Sequence, residues 1–226
     1  MNLQEAIIAR HSVRQYQDIA IEAEKITKLQ ALIDEYNQLA GLHIQLVTNE
    51  PKAFAGGLAK YGKFSGVSNY IVMVGQKGSD EALGYYGEQI VLQAQTMGLN
   101  TCWVGLTFRK QPDQYAIGAG EVLNSVIALG YGATQGVQHP QKKAVSDVTE
   151  NKSGTAYPDW FVKGVEAALL APTAINQQKF FFILHPDNRV EAKARFALSS
   201  YTQTDLGIAK CHFEIGAGKE NFTWKK

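Results

Sequence analysis

The chain has 226 residues, 45% hydrophobic and 19% charged, with a formal net charge of +1. That is enough apolar material for one large domain or two small ones. The near-neutral charge excludes an electrostatic footprint for nucleic acid or an anionic membrane, and the longest near-continuous apolar run, Tyr70–Val74, is far too short to cross a bilayer.

Leu3, Ala6, Ile7 and Ile8 outline a short amphipathic helix that runs into Arg10-His11-Ser12-Val13-Arg14. Asn2, Gln4 and Glu5 precede any apolar stretch, so no signal peptide is expected. Ile26, Leu29, Ile33 and Tyr36 recur at helical spacing and predict a helix over Glu22–Tyr36. Leu42–Val47 alternates like a half-buried strand, and Tyr70–Val74 reads as a fully buried one. A helix over Gly84–Met97 is ended by Gly98-Leu99-Asn100, and strands follow at Thr101–Val104 and Ser125–Leu129. From Ala133 to Ala156 the composition turns polar and reads as a long excursion or linker. A helix over Asp159–Leu170, a proline turn at Ala171-Pro172-Thr173, a strand over Phe180–Leu184 and a helix over Asp205–Ala217 complete the chain. Cys102 and Cys211 form no CxxC and read as buried free thiols in a reducing cytoplasm. The histidines show no paired spacing, so no metal site is expected.

Two portions of the chain echo each other. Ala31-Leu32-Ile33 aligns with Ala168-Leu169-Leu170, and His43–Val47 with Phe180–Leu184, at one constant offset. At a second offset Leu83-Gly84 and Ala94 align with Leu206-Gly207 and Ala217. The boundaries implied are a first half at 1–148 and a shorter second half at 149–226.

Three segments carry chemistry. In Arg10-His11-Ser12-Val13-Arg14 two guanidiniums flank a hydroxyl; in extended backbone residues two apart share a face, so Arg10, Ser12 and Arg14 can converge on one phosphate. In Ala171–Gln178 a proline turn is followed by small and amide residues, and amides match the mixed donor and acceptor edge of a flavin. In Gly98-Leu99-Asn100-Thr101-Cys102-Trp103-Val104-Gly105-Leu106 the glycines let backbone approach a flat ring. No acidic pair, nucleophile triad or phosphate loop accompanies them, which favours chemistry carried by a cofactor.

The ordered set R-H-S-V-R-x-Y, G-L-N-T-C-W, I-A-L-G-Y-G and Pro140-Gln141-Lys142-Lys143 resembles the nitroreductase family over the first half. Where that family has a P-S-x-x-N-x-Q-type turn, this chain reads Asp34–Ala40, and the missing turn stands instead at Ala171–Gln178. The resemblance implies an α+β, nitroreductase-like fold: a mixed, mainly antiparallel sheet flanked by helices, with two unequal halves packed as an intrachain imitation of the family's dimer. It implies FMN as cofactor and NADH or NADPH as co-substrate, hydride passing through flavin N5 to a small electron-poor acceptor such as a nitroaromatic or quinone. Arg10, His11, Ser12 and Arg14, with Lys142 and Lys143, would hold the phosphate. Pro172, Thr173, Ala174 and Asn176 would form the turn against the ring, Gly105 and Leu106 would face N5, and Lys60 or Lys63 would bring positive charge near N1 and O2. The expected partners are small molecules, not nucleic acid or membrane. One FMN is expected per chain, with a monomer sufficient to bind it and further oligomerisation possible. The rival readings are a specialised reductive or flavin-consuming enzyme, and a flavin-storing or inactive binding protein.

Overall fold

The computed structural model describes residues 1–137, 143–196 and 200–225. In chain order the helices are α1 (Leu3–Ala9), α2 (Ala23–Ala40), α3 (Gly57–Tyr61), α4 (Asp80–Thr96), α5 (Asp159–Leu169) and α6 (Thr202–Ala217). The strands are β1 (Gln45–Val47), β2 (Asn69–Gln76), β3 (Asn100–Val104), β4 (Glu121–Gly130), β5 (Thr149–Asn151), β6 (Phe180–His185), β7 (Arg189–Ala194) and β8 (Thr223–Trp224). The expected α+β class holds, but the strands form two four-stranded sheets rather than one. The first runs β1-β2-β4-β3 with every neighbour antiparallel; the second runs β5-β6-β7-β8, with β6 and β7 antiparallel and the outer pairs parallel. One sheet does not suffice because each sheet builds its own core: α4 packs on β2 and β3, α6 on β6 and β7, and the two helices pack on each other between the sheets.

Local sequence explains these elements. Asn2 and Glu5 close a capping box on α1, the Asn2 side chain accepting from the Glu5 N–H and Glu5 from the Asn2 N–H, both at 2.9 Å. Leu29, Ile33 and Tyr36 form the buried stripe of α2, which ends at Gly41 in the left-handed region (φ 61°). β2 is apolar from Tyr70 to Val74 because both its faces are buried there. Tyr70, Val72 and Val74 pack with Val13, Phe54 and Phe64; Ile71 and Met73 pack with α2 and α4 through Leu29, Ile33 and Ile90. Each such side chain contributes about 1.5–3 kcal/mol by leaving water. The second core gathers Phe180, Phe182 and Leu184 of β6 with Phe161 of α5 and Phe213 of α6.

The crossing of α4 and α6 depends on two glycines. A Cβ on Gly84 would lie 2.0 Å from the Thr204 carbonyl oxygen, and one on Gly207 would lie 1.9 Å from that of Glu81. These two contacts are mirror counterparts: the offset relating Gly84 to Gly207 also relates Glu81 to Thr204. The polar excursion is not merely a linker. It supplies a 3-10 turn over Val145–Val148, whose valines pack in the second core, and then β5, which pairs parallel with β6. No helix of the described residues is long and apolar enough to cross a membrane.

Candidate active site

A cavity of about 1220 Å3 opens between segments of the first sheet's side and those around α5 and α6. Its walls are the end of α1 with the segment to Arg14, residues 61–64, the run from Cys102 to Thr107, the turn after α5, and the start of α6. Arg10, His11, Ser12, Arg14, Lys63, Gly105, Leu106, Pro172, Thr173, Ala174 and Asn176, spread over some 160 positions of sequence, all stand on this lining. Lys60, exposed on α3, does not. Lys143 does not either; its ammonium donates to the Gln178 carbonyl, and burial, with Lys179 and Arg195 nearby, lowers its pKa. Lys142, with Pro140, falls outside the described residues.

The anchor segment leaves α1 at Arg10 and runs beside β3, with Ser12 bridged to Thr101 and the Val13 N–H donating to the Thr101 carbonyl at 3.0 Å. This extended course sets Arg10, Ser12 and Arg14 along the cavity wall. Arg14 is exposed and lies over the Phe64 ring at 5.9 Å. Arg10 is only 7% exposed, and among the described residues its Nε and Nη1 have no hydrogen-bond partner. The facing carboxylate, Glu88 Oε1, stands 3.7 Å from Nε, beyond hydrogen-bond reach. Leaving a buried charged donor unmet costs more than the roughly 1–3 kcal/mol of a neutral one, and an anion at this place would meet it.

The turn after α5 is held in a conformation L-residues rarely adopt. Ile175, Asn176 and Gln178 have φ of 49°, 53° and 47°. Asp205 of α6 fixes it, accepting from the Ala174 N–H at 2.9 and 3.1 Å and from Gln177 Nε2 at 2.9 Å. Burial pushes the Asp205 carboxyl up, and these donors pull it back. Thr173 Oγ1 accepts from the Gln178 N–H at 3.1 Å, and Gln178 Nε2 donates to the Leu169 carbonyl at 2.8 Å.

Gly105 makes a close approach, but the ring it meets here is that of Tyr201: a Cβ would lie 2.5 Å from its Cζ. Tyr201, Thr204 and Asp205 line the cavity and were not among the sequence candidates, and Trp103, part of the glycine-flanked segment, lines it too. They come from the helix starts and strand interiors, where pattern alone reads as core. Cys102 also lines it; burial raises its pKa, so it is not poised as a nucleophile. The rim is apolar and exposed: Ile8, Tyr61, Leu106, Val137 and Ile175, the last 89% exposed.

A second cavity of about 510 Å3 lies at the other end of the helix crossing, lined by Gly78, Glu81, Ala82, Tyr85, Lys210, Glu214 and Trp224 among others. The α4–α6 offset pairs four of these residues, Gly78, Glu81, Ala82 and Tyr85, with Tyr201, Thr204, Asp205 and Ile208 of the large cavity.

The model of the family described as "Putative TM nitroreductase" matches residues 2–217. The chain belongs to this nitroreductase family. Among solved structures, the Thermotoga maritima protein described as a putative nitroreductase is 24% identical, with 97% of this chain and 85% of that one covered at a TM-score of 0.65; it shares the fold. A Desulfovibrio desulfuricans protein, described as a putative nitroreductase in complex with FMN, is 18% identical over 65% of this chain and 94% of its own, at 0.47. A Parabacteroides distasonis protein, described as a putative NADH dehydrogenase/NAD(P)H nitroreductase, is 22% identical over 66% and 97%, at 0.48. No curated protein matches the chain.

Proposed function

We propose that this nitroreductase-family chain binds FMN in the large cavity and transfers hydride from NADH or NADPH to a small electron-poor acceptor, of the nitroaromatic or quinone type. The observation that carries the reading is Arg10: a buried guanidinium with two unpartnered donors on the wall of a cavity large enough for a nucleotide-sized ligand. A terminal phosphate between Arg10, Ser12 and Arg14 meets that demand with charge-assisted bonds. When bound, FMN supplies the two-electron chemistry by accepting hydride and returning it to the acceptor.

The chain's own residues bind, orient and exclude water. Thr173 and Asn176 are the polar groups on the turn fixed by Asp205, and Gly105-Leu106 offers backbone on the facing wall. Lys63, on the lining, is better placed than Lys60 to bring positive charge to the pyrimidine edge, where it favours the reduced cofactor. The exposed apolar rim suits a flat, weakly hydrated acceptor.

We read the two halves as an internal imitation of a dimer, supported by the reciprocal Gly84–Thr204 and Gly207–Glu81 contacts. One FMN per chain follows, bound in cis by a monomer, because among the described residues the smaller cavity has no counterparts of Arg10, Ser12 and Arg14. The test is direct. The purified protein should show a flavin spectrum, bleach anaerobically with NADH or NADPH and recolour with a nitroaromatic or quinone, and its mass by light scattering should give one FMN per monomer. Failure to bind FMN removes the reading, and two flavins per chain, or binding only as a dimer, removes the cis arrangement. Binding without bleaching leaves a flavin carrier.

A further inference from the structure

One carboxylate ties the anchor to the rest of the molecule. Glu88 of α4 and His212 of α6 are both 0% exposed. Glu88 Oε1 stands 2.8 Å from His212 Nε2 and 3.7 Å from Arg10 Nε, and Oε2 accepts from Trp103 Nε1–H at 2.8 Å. His212 Nδ1 lies 3.0 Å from the Ala167 carbonyl of α5. Both ring nitrogens thus face acceptors. The carbonyl can only accept, so Nδ1 carries hydrogen, and a further proton lies between Nε2 and Glu88.

This leaves Glu88 pinned. Its two oxygens are held from opposite sides by His212 and Trp103, so it cannot swing the remaining distance to close on Arg10. A carboxylate free to move would bond Nε and quench the guanidinium. Held at 3.7 Å it attracts Arg10 without satisfying it, and Nε and Nη1 stay available. The backbone makes the same connection: α1, which ends at Arg10, rests on both α4 and α6 through Ala6, Ile7, Leu92 and Cys211.

We propose that Glu88, locked by His212, is a positioning residue that holds Arg10 open for the cofactor phosphate, so that a helix of the second half sets the phosphate affinity of the first. The inference rests on the FMN reading above.

The test compares FMN with riboflavin, which has the same ring and no phosphate. Apoprotein of wild type, Glu88→Gln, Glu88→Asp and Arg10→Ala is titrated with each flavin, and binding is read from flavin fluorescence. Glu88→Gln should weaken FMN about tenfold or more and leave riboflavin within about twofold. Adding it to Arg10→Ala should change neither. Glu88→Asp retains the charge but retracts it, and should show the same selective loss if Glu88→Gln fails to fold. Equal weakening of both flavins marks a scaffold role and overturns the proposal. So does tighter FMN binding, which simple removal of a negative charge beside Arg10 would produce. Wild-type protein that binds neither flavin defeats the FMN reading instead.

Discussion

Gly84→Ala tests the helix crossing on which the site depends. The added methyl would lie 2.0 Å from the Thr204 carbonyl oxygen and 2.8 Å from its carbon. Both are main-chain atoms, so no rotamer change relieves the clash, and α4 and α6 must part by about 1 Å to reach even a tight contact. Parting also pulls on the contacts that join the two helices, Glu88 with His212 and Leu92 with Cys211. Overpacking of this kind costs about 1–3 kcal/mol. Helix propensity opposes it, since alanine is favoured over glycine by about 1 kcal/mol. Sterics should win, because the collision is with backbone on a buried face, leaving a net loss of up to about 2 kcal/mol. Urea denaturation should show a lower midpoint at unchanged slope. Gly207→Ala should cost about as much, its methyl meeting the Glu81 carbonyl oxygen at 1.9 Å. The double variant should cost less than the sum, because the first separation clears room for the second methyl. Either variant raising the midpoint, or strict additivity of the two, would refute the close crossing.

Arg14→Ala should weaken FMN binding by about 1.5–3 kcal/mol, the value of a hydrogen bond to a charged group, and an unchanged dissociation constant takes it out of the anchor. Asp205→Ala removes the acceptor of the Ala174 N–H and Gln177 Nε2 and should lower stability by about 1–3 kcal/mol while exposing the chain at Ile175 to limited proteolysis. Lys193 foremost, then His185 and Lys225, hold the Glu191 carboxyl down to about 2. A depressed folded pKa contributes stability above the ordinary carboxylate range and loses it as pH falls through the folded value. Glu191→Gln should therefore cost about 1 kcal/mol near neutrality, discounted for solvent screening, with the gap to wild type closing as pH falls from 4.5 toward 2 in chemical denaturation. Burial raises both thiols, Cys102 and Cys211, so a thiol reagent should modify neither until the protein unfolds.

Long amphipathic helices and buried strands were legible because periodicity reports burial directly. α5, β2 and β6 stand where spacing put them; α2 runs four residues beyond its expected end, to Ala40, and α4 and α6 begin three or four residues earlier than expected, at Asp80 and Thr202, where polar first-turn residues hide the pattern. β7 was missed because Arg189–Ala194 offers one strong apolar residue, Val190, although Asp187-Asn188 before it carried a signal. Both have positive φ, 60° and 53°, in the turn joining β6 to β7, and these residue types tolerate it. β5 and β8, of three and two residues, are set by tertiary pairing at the sheet edges. The arginine–serine anchor and the proline turn were visible as motifs. Glu88, His212 and Asp205 were not, because each lies on a helix whose neighbours are apolar and only the crossing of α4 and α6 gives it a partner.

The smaller cavity shows what the proposed cis arrangement permits. In a symmetric pair of subunits every residue of the interface helix serves two sites at once, so neither site can change alone. Here α4 and α6 have different sequences, and the two ends of their crossing differ. Glu214 of α6 accepts from Trp224 Nε1 at 2.6 Å and from the Tyr85 hydroxyl, and pairs with Lys219 at 2.9 Å. Lys210 lies 4.8 Å from the Trp224 ring and pairs with Glu81 at 2.6 Å. These side chains satisfy one another, whereas at the large cavity Arg10 keeps unpartnered donors. A polar cluster that closes on itself favours rigidity, and one left incomplete favours a ligand. With the proposed phosphate anchor at the large cavity, the opposite end of the crossing is free to serve as structural cement.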